Sequence, residues 1–182
     1  MKSLLLLLAL VFHADSGTSK TRTASPEPLM HTETSFNLIV KAPYAETTPL
    51  FGPEGERAWA GKHWDPQFIH PRPARDSEGG VFTIEHGLLH ATWVITAFDV
   101  EGRHFQYVYF LPDLLVTTID VRFKALDDAS TQVTVVYART ALTPEGNAQV
   151  ATMTEGDKNA GQEWQGAIDT YLATRKAAET SH

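Results

Sequence analysis

Five stretches between residues 80 and 141 carry apolar side chains at alternate positions, the period of a half-buried β-strand. They cover residues 80–85, 88–99, 105–111, 115–126 and 131–141. Turn-forming pairs such as Glu101-Gly102 and Pro112-Asp113 separate them. Because these connections are short, neighbouring strands are expected to pair as antiparallel hairpins. This pattern predicts one antiparallel sheet as the framework of the chain.

The strand at residues 115–126 predicts that the sheet has one buried and one exposed face. One set of alternate positions holds Thr117, Ile119, Val121 and Phe123. The other set is polar and holds Thr118, Asp120, Arg122 and Lys124. The last strand likewise places Val133, Val135 and Tyr137 on one face. A sheet that is apolar on one side must be covered there by a second layer.

The covering layer is predicted to be a helix after Pro144. Apolar residues there recur every three or four positions, as Trp164, Ile168 and Tyr171 show. Before the sheet, a strand with Phe36, Leu38 and Val40 on one face ends at Pro43, and short helices are predicted at residues 44–51 and 54–61. The predicted class is α+β, with a curved sheet of about six or seven strands around a long C-terminal helix.

Three segments of the sequence resemble one known family. They are Pro53-Glu54-Gly55-Glu56-Arg57-Ala58-Trp59 with Trp64-Asp65-Pro66, then residues 93–99, then residues 140–146. Together they resemble the bacterial START-like (SRPBCC) superfamily of polyketide-cyclase-like and lipid-transport-like domains, over roughly residues 31–178. This resemblance implies a helix-grip fold and its strand order. The superfamily holds both binding proteins and enzymes, so the resemblance implies no single function.

The N-terminus predicts export. Lys2 followed by the apolar run of residues 4–12 has the form of a secretory signal and is too short to span a membrane. We therefore expect a signal peptide at residues 1–16, a flexible Ser-, Thr- and Pro-rich lead-in at residues 17–30, and one domain at residues 31–180. No integral membrane span is expected once the signal is removed.

Composition excludes several classes of function. The net charge of -7 and the lack of a Lys and Arg run argue against binding to nucleic acid. Without cysteine the chain has no disulfides and no thiolate nucleophile. Its eight histidines lack the spacing of a metal site, and no Gly-x-Ser-x-Gly motif is present. We therefore predict no catalytic residues, no metal and no cofactor, while the oligomeric state stays open.

A cavity between the sheet and the terminal helix is the predicted ligand site, because large apolar side chains on separate elements would converge there. The candidate ligand-binding residues are Phe51, Trp59, Trp64, Phe82, Trp93, Tyr107, Tyr137, Trp164 and Ile168. The expected function is binding of a small apolar or amphipathic molecule. Two alternatives are open. One is a cyclase-like or hydratase-like enzyme that uses Tyr107, Tyr137 or Asp120 as acid or base. The other is a filled core with function at the surface.

Charged and glycine positions give the remaining expectations. Asp120, Arg122 and Arg139 interrupt apolar strands and are expected on the surface in cross-strand pairs. Acidic residues in the first turn of a helix, such as Glu54 and Glu56, are explained by the helix dipole alone. Gly161 and Gly166 in the terminal helix either allow close approach of another element or are merely tolerated.

Overall fold

The computed structural model describes residues 27–86 and 89–180. The predicted signal at residues 1–16 and the lead-in up to residue 26 lie outside the described residues. Residues 28–30 are attached to the domain, because the Asn147 side chain accepts a hydrogen bond from the Met30 amide at 2.7 Å and donates one to the Pro28 carbonyl.

Within the described residues, seven strands form one antiparallel sheet in the spatial order β1-β7-β6-β5-β4-β3-β2. The strands are β1 (His31–Val40), β2 (Gln67–His70), β3 (Val81–His86), β4 (Leu89–Asp99), β5 (His104–Leu111), β6 (Leu115–Asp127) and β7 (Ser130–Ala141). All five strands predicted between residues 80 and 141 are present. The edge strand β2 was not predicted, because its four residues show too little alternation to stand out.

Two short helices follow β1, as predicted, and one long helix ends the domain. They are α1 (Tyr44–Thr47), which continues into a 3-10 turn (Thr48–Phe51), α2 (Pro53–Glu56) and α3 (Pro144–Glu179). The second helix is shorter than the predicted 54–61. Beyond it the amide of Ala58 bonds to the carbonyl of Gly55, three residues back, so the helical ladder gives way to turns.

The pairing of β6 with β7 confirms the predicted faces of the sheet. Ile119 lies opposite Tyr137 and Phe123 opposite Val133, and all four side chains are buried. The same alternation turns Arg139 inward, where it is 4% exposed, so the predicted surface position of Arg139 is wrong.

The outward charges of β6 do lie on the surface. Arg122 Nε is 2.9 Å from Asp120 Oδ1, and His104 Nε2 on β5 is 2.6 Å from Asp120 Oδ2.

The terminal helix α3 shares the covering of the sheet with the short helices. It packs mainly on β1 and β7, and its Ile168 and Val150 are fully buried. Further across the sheet, Phe123 is covered by Tyr44 and Phe51, with ring centroids 6.2 and 5.4 Å away. The enclosed space between these layers is where a ligand site can form. Within residues 27–86 and 89–180, no helix combines the length and apolar character that a transmembrane helix needs.

Candidate functional site

Arg57 holds the segment after β1 in its folded form. Its guanidinium donates to Glu54 Oε1 at 2.9 Å, to Asp65 Oδ1 at 2.5 Å and to the carbonyl of Pro66. The charged residues at positions 54, 57 and 65 therefore serve one structural purpose, which is to fold the chain back on itself after α2.

Two tryptophans and a glycine complete this segment. Trp59 Nε1 donates to the Leu50 carbonyl at 2.7 Å, and Trp64 Nε1 donates to the Pro53 carbonyl at 2.9 Å. At Gly55 a Cβ atom would lie 1.7 Å from the Pro49 carbonyl oxygen, so only glycine allows α2 to pack this closely on the preceding turn. These contacts fix the direction in which α2 presents its next side chain, Glu56.

Glu56 is buried without a hydrogen-bonding partner. The residue is 8% exposed, and no other residue in the described part of the chain hydrogen-bonds its carboxyl group, whereas Glu54 and Asp65 are both bound to Arg57. Burial, followed by the nearby Asp76 carboxylate, raises the pKa of Glu56 well above its usual range. Burial therefore favours the protonated, neutral form of Glu56 in the folded protein.

The Glu56 side chain lines a cavity of about 60 Å³ between the sheet, α2 and α3. Every strand from β3 to β7 contributes to its wall. The wall consists of Pro53, Glu56, Trp64, Phe82, Trp93, Tyr107, Ile119, Val121, Tyr137 and Trp164. A cavity of about 10–15 Å³ holds one water molecule and pockets for drug-sized ligands measure about 300–1,000 Å³, so this space suits a small molecule or one end of a larger molecule.

Two tyrosines bring hydroxyl groups to the same wall. Tyr107 Oη donates to the Phe51 carbonyl at 2.7 Å, so its proton is already used. No described residue hydrogen-bonds the hydroxyl of Tyr137, and this residue is 8% exposed. Burial raises the pKa of both tyrosines, and the neighbouring Glu56 carboxyl raises it further. Both phenols are therefore neutral, and Tyr137 keeps an unused donor.

Six of the nine predicted ligand-binding residues lie on the cavity wall: Trp64, Phe82, Trp93, Tyr107, Tyr137 and Trp164. The other three lie behind it. Phe51 and Trp59 pack against Trp164, at centroid distances of 6.4 and 5.2 Å, and Ile168 is buried one turn further along α3.

The sequence interpretation missed four wall residues: Pro53, Glu56, Ile119 and Val121. Strand parity already placed Ile119 and Val121 on the inner face. Glu56 was attributed to the helix dipole, and no sequence signal separates it from Glu54.

The structure removes Asp120 from the candidate acids and bases of the cavity. Its side chain lies on the opposite face of the sheet, paired with His104 and Arg122. Among the residues that the structure describes, no three His, Asp or Glu side chains come together as a metal site. The titratable groups left in the cavity are Glu56, Tyr107 and Tyr137.

Comparison by sequence finds no match among protein-family models or curated proteins. Comparison of structures finds many. An uncharacterized protein from Rhizobium leguminosarum matches with a TM-score of 0.57 at 15% identity, over 79% of this chain and 97% of that chain. Norcoclaurine synthase from Thalictrum flavum, in complex with dopamine and hydroxybenzaldehyde, matches with a TM-score of 0.58 at 12% identity, over 94% and 98%. A hypothetical protein from Helicobacter pylori gives 0.59 at 11%, over 93% and 99%.

The chain has the helix-grip fold. The seven-stranded sheet, the short helices after β1 and the long terminal helix agree with the architecture that the START-like resemblance implied. At these identities the likeness concerns the fold alone.

Proposed function

We propose that this domain binds a small apolar or amphipathic molecule in the cavity between the sheet, α2 and α3. The observation that carries the proposal is the unpartnered Glu56 carboxyl in a wall that is otherwise mostly aromatic. A buried polar group without a partner costs about 1–3 kcal/mol. A ligand that bonds to Glu56 would recover part of that cost, and the aromatic walls would bury its apolar part.

The fold supports the proposal as well. The START-like fold typically holds hydrophobic ligands, and the solved norcoclaurine synthase contains two small aromatic molecules. The cavity volume of about 60 Å³ limits the ligands of this chain to fragment-sized compounds, or to longer molecules that insert one end.

Tryptophan emission tests this proposal, because Trp64, Trp93 and Trp164 line the cavity and Trp59 does not. Small aromatic compounds, fatty acids and sterols are titrated while emission and melting temperature are recorded. A ligand should shift the emission and raise the melting temperature, because it binds only the folded state. Trp64→Phe should reduce the change in emission, whereas Trp59→Phe should retain it. If no compound changed either quantity, the filled-core alternative with function at the surface would replace this proposal.

An enzyme of the cyclase or hydratase kind is the second candidate. Glu56 favours it, because a carboxyl group that stays protonated can act as a general acid beside a bound substrate. Turnover of a compound that binds in the screen, lost in Glu56→Gln, whose amide still donates a hydrogen bond but supplies no acidic proton, would establish this candidate.

We also propose that the protein is exported. Lys2 and the apolar run of residues 4–12 support this, because they have the form of a secretory signal.

A further inference from the structure

The cavity wall carries two oxygen-bearing groups that no described residue satisfies, the Glu56 carboxyl and the Tyr137 hydroxyl, and the buried Trp93 indole N–H beside them is also without a partner. They reach the wall from separate elements, α2 and β7. Tyr107 is different, because its hydroxyl already donates to the Phe51 carbonyl. Among the carboxyl and hydroxyl groups of the cavity wall, those of Glu56 and Tyr137 are therefore the ones whose hydrogen-bonding capacity is left for a ligand.

Both groups present an O–H donor. Each residue is 92% buried, and burial raises both pKa values and so favours the neutral carboxyl group and the neutral phenol. The charged groups around them do not change this. Asp76, which lies near Glu56, adds negative charge and favours the protonated acid. The Arg139 guanidinium lies over the Tyr137 ring, 4.4 Å from its centroid. Both of its terminal nitrogens, however, donate to the carboxylate of Asp157.

We propose that Glu56 and Tyr137 form a two-donor site for one oxygen atom of the ligand, so that the cavity selects small compounds bearing a carbonyl group. A carbonyl oxygen has two lone pairs and can accept both hydrogen bonds at once. The aromatic side chains of Trp64, Trp93 and Trp164 then enclose the apolar remainder. This inference rests on the proposed function, because it names the ligand class of the same cavity.

Three probes that share a phenyl ring with a two-carbon side chain test the oxygen requirement: acetophenone, ethylbenzene and 1-phenylethylammonium. Acetophenone carries the carbonyl group, ethylbenzene has no polar atom, and the third probe carries a cation. Calorimetric titration of the wild-type protein should give an affinity for acetophenone about tenfold higher than for ethylbenzene, since each net hydrogen bond is worth a factor of a few.

Four variants test the two donors. Glu56→Leu and Tyr137→Phe should each lower the ratio of acetophenone to ethylbenzene affinity, and the double variant should bring it close to one. Glu56→Gln should keep part of the preference, because a carboxamide still donates. Controls of the same chemistry are Glu155→Leu, which removes an exposed carboxylate paired with Lys158 on α3, and Tyr44→Phe, whose hydroxyl bonds to the Val100 carbonyl outside the cavity. Both controls should keep the wild-type ratio.

The possible results separate this inference from the proposed function. Equal affinities for acetophenone and ethylbenzene in the wild-type protein would overturn the two-donor site and leave the binding function intact. Tightest binding of the ammonium probe, lost in both Glu56→Gln and Glu56→Leu, would replace the two-donor site with a cation site. If none of the probes bound, while other compounds in the tryptophan screen did, the inference would fail alone. If no compound bound at all, both the two-donor site and the proposed binding function would be contradicted.

Discussion

Arg139 on β7 and Asp157 on α3 form a buried ion pair with two hydrogen bonds. Arg139 Nη2 donates to Asp157 Oδ1 at 2.9 Å, Nη1 donates to Oδ2, and the Thr34 hydroxyl donates to Oδ2 at 2.5 Å. The side chains are 4% and 9% exposed. This pair joins the terminal helix to the last strand and, through Thr34, to β1.

Removing one partner of this pair should strongly destabilise the domain. Asp157→Ala leaves the Arg139 guanidinium buried without a counterion, which typically costs about 3–5 kcal/mol in the free energy of unfolding. Glu155→Ala is the matched control, because Glu155 lies two residues away on α3 and pairs with Lys158 on the surface. Its expected loss is below about 1 kcal/mol. Urea denaturation measures both, and similar small losses would contradict the buried pair.

Glu56 should make stability depend on pH. Its pKa is about 4.3 in an unfolded chain and well above that in the folded protein. The folded state therefore keeps a proton that the unfolded state has released, and the free energy of unfolding falls as pH rises from the unfolded pKa to the folded pKa. The slope for this one group is at most about 1.4 kcal/mol per pH unit. Asp76, whose pKa burial also raises, contributes with the same sign.

Glu56→Gln should remove that contribution, since the amide does not ionise. The variant should gain stability relative to the wild-type protein as pH rises above about 4.5, and thermal melts between pH 4.5 and 8 measure the difference. Glu56→Gln/Asp76→Asn should flatten the profile further. A constant difference between wild type and Glu56→Gln across this range would show that Glu56 titrates normally.

Gly161 and Gly166, two of the four glycines in α3, should respond to alanine in opposite directions. At Gly161 a Cβ atom would lie 3.1 Å from Phe36 Cβ, so the glycine allows the helix to pack closely on β1. At Gly166 nothing lies within 4 Å. Gly166→Ala should stabilise the protein by about 0.5–1 kcal/mol through helix propensity alone. Gly161→Ala should lose that gain and destabilise by up to about 2 kcal/mol. Equal gains would show that β1 yields to the added methyl group.

The sheet and the terminal helix could be predicted from the sequence because periodicity reports directly on burial. The alternation of Ile119, Val121 and Phe123 and the helical spacing of Trp164 and Ile168 each mark a face that must be covered. The same alternation along β7 also places Arg139 on the inner face of the sheet. Its charge led to the surface assignment, since the partner Asp157 lies on another element and sequence spacing does not connect the two.

The position of Glu56 in the cavity wall could not be predicted from the sequence for a related reason. Glu54 and Glu56 are both acidic residues in a first helical turn, and the sequence gives them the same explanation. They differ because Arg57 folds back onto Glu54 and Asp65 and leaves Glu56 on the inner side. That difference depends on tertiary contacts with Asp65 and Pro66, which local patterns do not contain.

The N-terminal segment should be removed in the native host. Lys2 and the apolar run of residues 4–12 predict cleavage near residue 16. Intact-mass measurement on the exported fraction should give a chain that lacks about the first 16 residues. An exported soluble form that still starts at Met1 would contradict the proposal, and so would confinement of the protein to the cytoplasm.

Trp164 should be needed both for stability and for the size of the cavity. Its ring packs edge to face on Phe36 at 5.4 Å and on Trp59 at 5.2 Å, while it also forms part of the cavity wall. Trp164→Ala removes these contacts and should cost about 3–5 kcal/mol, less any relaxation of α3. The vacated space should let the variant bind a two-ring compound such as naphthalene, which the cavity of about 60 Å³ should exclude in the wild-type protein. Thermal shift with benzene and naphthalene measures this change of selectivity. An unchanged preference for the smaller probe in a folded Trp164→Ala would show that α3 collapses onto the sheet and that Trp164 does not set the cavity's size.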